Sequence, residues 1–425
     1  MINISDKQEC CGCSACAERC PRQCIKMVAD EEGFLYPEVD ENSCIHCDLC
    51  NTVCPILNQY DPVQPIRVYA AQHKNEYILK HSSSGGVFTA LAENVIREGG
   101  VVFGACFDKN WKVIHSYTES MEGLAGFRGS KYVQSCMGSS YQDVEKFLKQ
   151  ERKVLFSGTP CQIAGLKRFL RKEYGNLQTV DVICHGVPSP LVWERYVETL
   201  RPKGATGENS VSSLKKKPVI TGLCFRDKRA GWRKFGFSAW VGATEGSDEN
   251  TVFPPKHQKR IRYEILQQNI FLRGFLQNLY LRPSCHQCHF RNFRSGSDAT
   301  IADFWGVKKA FPNYAEDKGL SLVVKKSDSI NLISSSLEIK EIECPINNAL
   351  SGNSSAYFDD KPNINRNIFW NQFLSNPIKL ENHIINNTTY SSKQKFRDWL
   401  DCVFLDFHIY NFVKRFVVKY RNYTK

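Results

Sequence analysis

The sequence predicts a small α+β head fused to an α/β body with a parallel or mixed sheet, followed by an irregular or helical C-terminal tail. Three observations predict this. Cysteines crowd into two runs within the first 60 residues. A strand–helix–strand pattern spans residues 153–184. Beyond about residue 330 the chain becomes rich in Asn, Ile and Lys and loses clear periodicity. The expected domains are a head over 1–60, a body in two parts over 66–150 and 151–330, and an extension over 331–425. A length of 425 residues, 42% of them hydrophobic and 24% charged, suits two or three globular domains.

The head comes first. Residues 10–21 read CCGCSACAERCP and residues 44–55 read CIHCDLCNTVCP. Both fit C-x2-C-x2-C-x3-C-P, the bacterial ferredoxin run, so the head is expected to be ferredoxin-like with two 4Fe-4S clusters. Three cysteines at this spacing wrap one cube, and the fourth reaches the other. One set is therefore Cys10, Cys13, Cys16 and Cys54; the other is Cys44, Cys47, Cys50 and Cys20. A zinc site takes four ligands and gives no reason for eight cysteines in a repeated spacing. Cys11 and Cys24 fall outside the pattern. Between the runs, residues 25–44 read as a hairpin turning near Glu32 and Gly33.

In the body, residues 66–73 read as a strand and KHSSSGGVFTALAENVIREGG as a helix entered through Ser83, Ser84, Gly85 and Gly86. Such an entry suits a phosphate at the positive helix end, or a plain serine cap. No G-x-G-x-x-G follows a strand, so a Rossmann dinucleotide site is unsupported. VVFGACF reads as a buried strand with Cys106 in the core. FRGSKYVQS places Arg128, Lys131 and Tyr132 in a polar turn suited to a pyrophosphate or a flat heterocycle, or simply solvated.

KVLFSG is a strand, TPCQIAGLKRFLRKEYG a helix opened by Pro160, and QTVDVIC a second strand. Strands joined in this way run parallel, so Cys161 and Cys184 reach the same sheet edge, where open α/β sheets bind ligands. Cys285 and Cys288 make four thiols, the number for a third 4Fe-4S cluster. The competing readings are a redox pair or half a zinc site for C-x-x-C, and a nucleophilic Cys161 with His185 as its base.

The strings GTPCQIAGLKRFL, VICHGVPSPLVWERY, FRDKRAGW and DATIADFWG occur in order and resemble the beta-subunit family of coenzyme F-420-reducing hydrogenases and formate dehydrogenases; SSSGG and RGSKY resemble its N-terminal part. The resemblance covers about 66–310. It implies FAD beside a 4Fe-4S cluster, with a flavin-binding body in which Ser83, Ser84, Gly85, Gly86, Arg128, Lys131 and Tyr132 surround the flavin. Arg226, Lys228 and Trp232 would face flavin or substrate, or form a basic loop around a core tryptophan. Asp303 and Trp305 suit structure or function equally. The implied activity joins one-electron clusters to a two-electron hydride acceptor such as a deazaflavin coenzyme. The fused head implies a soluble electron carrier such as ferredoxin as partner. A non-catalytic electron-transfer subunit is the alternative from another class.

Charge and hydropathy bound the rest. Residues 1–57 carry 10 acidic and 4 basic side chains in a chain of net charge +12, so an acidic head sits on a basic body. No Lys/Arg block is dense enough to argue for nucleic acid. The N-terminus lacks a signal-peptide pattern and no run is long enough to span a bilayer, so the cytoplasm is expected. Residues 393–425 interleave aromatic and basic residues; packing on the body is expected ahead of contact with a membrane surface.

Overall fold

The computed structural model describes residues 1–201, 219–242, 258–332 and 334–406. In the head, β1 (Ile25–Ala29) and β2 (Leu35–Val39) pair antiparallel. Gly33 turns the hairpin at φ +82°, and a Cβ there would lie 2.5 Å from the Cβ of Leu191, so the hairpin tip presses on the body.

The body is built on an eight-stranded mixed sheet of order β13-β3-β12-β11-β7-β6-β4-β5. Its strands are β3 (Arg67–His73), β4 (Val101–Phe107), β5 (Val113–Thr118), β6 (Val154–Gly158), β7 (Leu177–Val182), β11 (Ala299–Asp303), β12 (Ser321–Lys325) and β13 (Leu337–Glu341). The central strands β4, β6, β7 and β11 run parallel. The first three are largely buried; β4 and β6 are mostly apolar, as strands covered on both faces are, while β7 also buries Gln178, Thr179 and Asp181. Their C-terminal ends share one edge. A second, antiparallel sheet of β8 (Val219–Asp227), β9 (Gly236–Gly242) and β10 (Lys259–Ile265) packs an aromatic core around Trp193, Phe225, Phe237 and Phe271.

The tail is helical in part, as expected, and differs from that expectation in one strand. Residues 337–341 add an edge strand to the main sheet through antiparallel pairing with β3. Helices Arg366–Ser375 and Leu380–Asn387 bury Phe369, Phe373 and Ile384 in the aromatic core. In the helix Ser392–Asp406, Phe396 and Trp399 are exposed and stack on each other, so at these positions the stripe does not pack on the body. Residues 407–425 of that expectation lie outside the described residues. No helix among the described residues is long and apolar enough to cross a membrane.

Head and body meet through charge. Arg366 pairs with Glu32. Glu18 Oε2 accepts the amides of Tyr141 (2.9 Å) and Gln142 (3.2 Å) at the start of the helix Ser140–Lys149, and burial pushes its carboxyl up to about 8. Fully buried Arg282 donates to Cys10 O (2.8 Å), Leu35 O (3.0 Å) and Gln134 Oε1 (2.9 Å), joining both halves of the head to the body.

On β5, buried His115 lies 2.9 Å from both Ser135 Oγ and Ser157 O and stacks on Phe156. Burial pushes it down to about 4. Free histidine titrates near 6.5, so between these values the unfolded chain binds more protons than the folded one. This stability is complete above about pH 6.5 and falls away as pH drops towards 4, by roughly 3 kcal/mol. The thermal midpoint is therefore expected to fall more steeply over this range in the wild type than in His115→Asn.

Candidate functional site

The two cysteine runs fold alike. Gly12 and His46 hold corresponding positions with φ +68° and +51°; Ser14 and Asp48 do the same with +67° and +59°. The left-handed turns curl each loop around its thiols and aim amides at them. Ile2 N–H donates to Cys50 Sγ (3.2 Å) and His46 N–H to Cys44 Sγ (3.4 Å), the kind of bond that tunes a cluster's potential. Cys10, Cys13, Cys16 and Cys54 line one space; Cys20, Cys44, Cys47 and Cys50 line another. Cys24, outside the spacing pattern, lies 3.3 Å from Cys20 at the second.

Inside the body, Cys161, Cys184, Cys285 and Cys288 line a third space. The parallel strands explain why. Cys161 follows β6 in the first turn of the helix Pro160–Leu170, which carries a Thr159–Gln162 capping box. Cys184 follows β7. Cys285 and Cys288 arrive on the turn Pro283–Gln287 and its end, and Val187 N–H donates to Cys285 Sγ (3.4 Å). Burial, with the neighbouring sulfurs, raises Cys285 to about 12 and Cys288 to about 11 and pushes Cys184 well above its ordinary value. Four half-buried thiols without a carboxylate among them fit an iron–sulfur cluster, whose cations take thiolates and displace the protons.

The nucleophile reading finds less. His185 Nδ1 faces Asp360 Oδ2 at 3.2 Å, while its buried Nε2 has no hydrogen-bond partner. Cys161 lies 3.1 Å from Thr159 Oγ1, and its neighbour Cys11, together with burial, pushes its thiol well above the ordinary value.

The helix Pro160–Leu170 also receives the head. A Cβ at Gly165, one turn after Cys161, would lie 2.9 Å from Cys13 Cβ and 2.8 Å from Tyr141 Oη. Alanine in a helix ordinarily stabilises by about 1 kcal/mol over glycine. Here Gly165→Ala is expected to destabilise and to displace Cys13, read as a lower thermal midpoint and an altered EPR signal from the head.

The residues expected around a flavin gather about Arg226. Its Nη2 donates to Ser83 O (3.0 Å) and Asp303 Oδ1 (2.9 Å), and its Nη1 to Tyr132 Oη (3.3 Å). Trp232 is fully buried, stacks on Trp305 at 4.8 Å and donates its indole N–H to Asp303 Oδ1 (2.5 Å). Tyr132 stacks on Phe275. Lys228, pushed down to about 7 by burial, donates to three carbonyls, those of Leu79, Ser84 and Lys318; Lys131, pushed to about 8, donates to those of Gly126 and Arg128. Both ammonium groups are thus spent on backbone. Ser84 Oγ donates to Leu320 O, and a Cβ at Gly85 would lie 2.3 Å from Ala71 O. The alternative of a serine cap is not realised: Gly86, at φ +83°, is the cap of the helix Val87–Arg97, and no side chain caps that end. Nearby Arg128 keeps a buried Nε without a partner. Sequence reasoning missed Arg282 and Cys11; only Gly165, an isolated glycine inside a helical pattern, carried a signal.

Residues 9–57 match the family model of the 4Fe-4S dicluster domain. Residues 68–142 match that of the coenzyme F-420 hydrogenase/dehydrogenase beta subunit N-terminus, and residues 151–344 that of its C-terminus. Among curated proteins, the chain is 28% identical over 198 residues to a coenzyme F-420-dependent sulfite reductase of Methanocaldococcus jannaschii, covering 45% of this chain and 30% of that protein. It is 26% identical over 201 residues to an uncharacterized protein of the same organism, covering 40% and 55%. The chain thus spans less than two thirds of either relative. A subunit of the F-420-reducing nickel–iron hydrogenase complex from Methanosarcina barkeri aligns with 70% of this chain and 90% of its own, at 18% identity and a TM-score of 0.42. The chain belongs to the family of coenzyme F-420 hydrogenase/dehydrogenase beta subunits, with a 4Fe-4S dicluster domain ahead of the family's own two regions.

Proposed function

We propose that this iron–sulfur oxidoreductase accepts single electrons at its head from a soluble carrier and uses them, at a flavin held by the body, for hydride exchange with an acceptor of the deazaflavin class. One observation carries the reading: four half-buried thiols share a space with Cys11 and Ile56 of the head at the ligand-binding edge of the parallel strands, and His185 of that space connects through Phe275 and Tyr132 to Arg226. When bound, the clusters supply one-electron steps and FAD converts them to two-electron chemistry.

The chain's own residues do the holding. The eight head cysteines and the inner four provide three thiolate sets. Arg282, which lines the inner space, ties the head to the body beside it. The uncapped end of the helix Val87–Arg97, with Arg128 beside it, offers positive potential to a phosphate group. Arg226 is held by Asp303 and Ser83 so that Tyr132 keeps one orientation.

Anaerobic purification followed by iron, sulfide and flavin counts tests this. About twelve irons and one flavin per chain are expected, at four irons per four-cysteine set. About eight irons would reject the inner cluster. Iron without flavin, and no turnover of any hydride acceptor, would favour an electron-transfer subunit instead.

A further inference from the structure

The two cysteine runs share a spacing and a backbone signature, yet the body treats them unequally. The first run faces it. Cys11, Cys13, Ser14 and Ala15 are buried. A Cβ at Gly12 would lie 2.7 Å from Arg282 Nη1, and one at Gly165 would lie 3.1 Å from Cys13 Sγ. Cys11 and Ile56 line both the space of the first set and the inner space. The second run faces outward. Ile45 is 58% exposed, and His46, Cys47 and Asp48 are exposed with it. No residue around the space of Cys20, Cys44, Cys47 and Cys50 also lines the inner one.

The charge follows the same division. Residues 38–48 carry four acidic side chains, Glu38, Asp40, Glu41 and Asp48, and no Lys or Arg. All four are exposed. The cations beside this space are exposed Arg22 and the amino terminus, which is paired with Asp48 at 3.2 Å. An electron passes between two proteins only where their centres approach closely, and this is the side of the head that the body leaves open. We infer that the loop from Cys44 to Cys50 is the docking face for a soluble one-electron carrier protein whose own rim is basic. Ile45 is the apolar centre of that face and the four carboxylates are its rim. Opposite charge across such a contact steers the encounter and fixes its orientation. In the exchange the carrier gives up one electron and the group held by Cys20, Cys44, Cys47 and Cys50 gains it; no bond or proton changes hands. The inference rests on the reading that the head takes electrons from a soluble carrier, and names the face and the chemistry of that carrier.

The full-length protein, purified anaerobically, reduced with dithionite and desalted, is mixed with oxidised cytochrome c, a basic one-electron haem protein that serves as the probe. Carbodiimide cross-linking joins carboxylates of one protein to lysines of the other, and mass spectrometry maps the joins without reference to turnover. Cross-links are expected to concentrate on Glu38, Asp40, Glu41 and Asp48. At low salt, haem reduction is expected to slow about five- to tenfold in Glu38→Gln/Glu41→Gln and in Ile45→Lys, with the iron content unchanged. Added salt is expected to slow the wild type. Glu31→Gln removes an exposed charge at the hairpin instead, and is expected to change the rate little. Three results would overturn the inference: cross-links spread evenly over the protein's carboxylates; a Glu31→Gln variant as slow as the double variant; or cytochrome c with its lysines acetylated reacting as fast as the native probe. Failure of the proposed function reads differently. Iron without flavin, or no turnover of a hydride acceptor, would reject the hydride step and leave the cross-links and the haem reduction as they stand.

Discussion

Cys161→Ser is expected to lose about four of twelve irons and leave the head's eight in place. The site dictates the size of the effect. Cys161 sits in the first turn of a capped helix, so its sulfur is held where the other three thiols meet. Serine fills the same volume but gives iron a hard, weakly acidic oxygen in a buried setting, and the three remaining thiolates hold one corner fewer. The eight head cysteines line two other spaces, and none of them is Cys161's partner in the inner set. Iron analysis with EPR reads both quantities at once. A variant retaining all its iron would remove Cys161 from the ligand set, and with it the reason to place a cluster under the head. The loss is expected to abolish reduction of the body by a head-reducing donor while head reduction continues.

Arg282→Ala is expected to detach the head. The guanidinium is fully buried, and each of its three bonds joins a charged donor to a carbonyl or amide oxygen. Such bonds contribute about 1.5–3 kcal/mol each, and truncation leaves the carbonyls of Cys10 and Leu35 without that donor. The rings of Tyr36, at 4.3 Å, and Phe34, at 5.4 Å, lose their cation as well. A destabilisation of head docking by about 3 kcal/mol or more follows. Limited proteolysis is expected to release the head near residues 58–66, with the head's iron intact and head-to-body electron transfer lost. Arg282→Lys keeps the charge but cannot reach three acceptors spread around a planar fork, so partial release is expected. A variant whose head stays protected would show that Glu18 and the Glu32–Arg366 pair suffice.

What the sequence reveals depends on whether the cause is local. The spacing of the eight head cysteines is itself a geometry, so their grouping was readable in advance. The approach of Cys161 to Cys184 follows from parallel strands, a rule of chain connectivity. Lys228 shows the opposite case. It was expected to face flavin or substrate, or to belong to a basic loop around a core tryptophan, and its ammonium meets three carbonyls from residues 79, 84 and 318. Backbone acceptors brought together by folding leave no trace in side-chain identity. Arg282 was invisible for the same reason. The edge strand Leu337–Glu341 was missed because its outer positions are solvated and β3 supplies the pairing. The missing serine cap is a matter of backbone conformation: Gly86 takes a left-handed turn at the point where a serine was expected to cap.

The head's position beside the inner thiols bears on how the protein would be assembled. Cys11 and Ile56 of the head form part of the wall around the inner space. On the reading proposed above, a cluster delivered from outside would enter before the head docks and Arg282 closes its three bonds. A chain docked too early is then expected as a species of about eight irons, and iron counts on protein made under iron limitation check this.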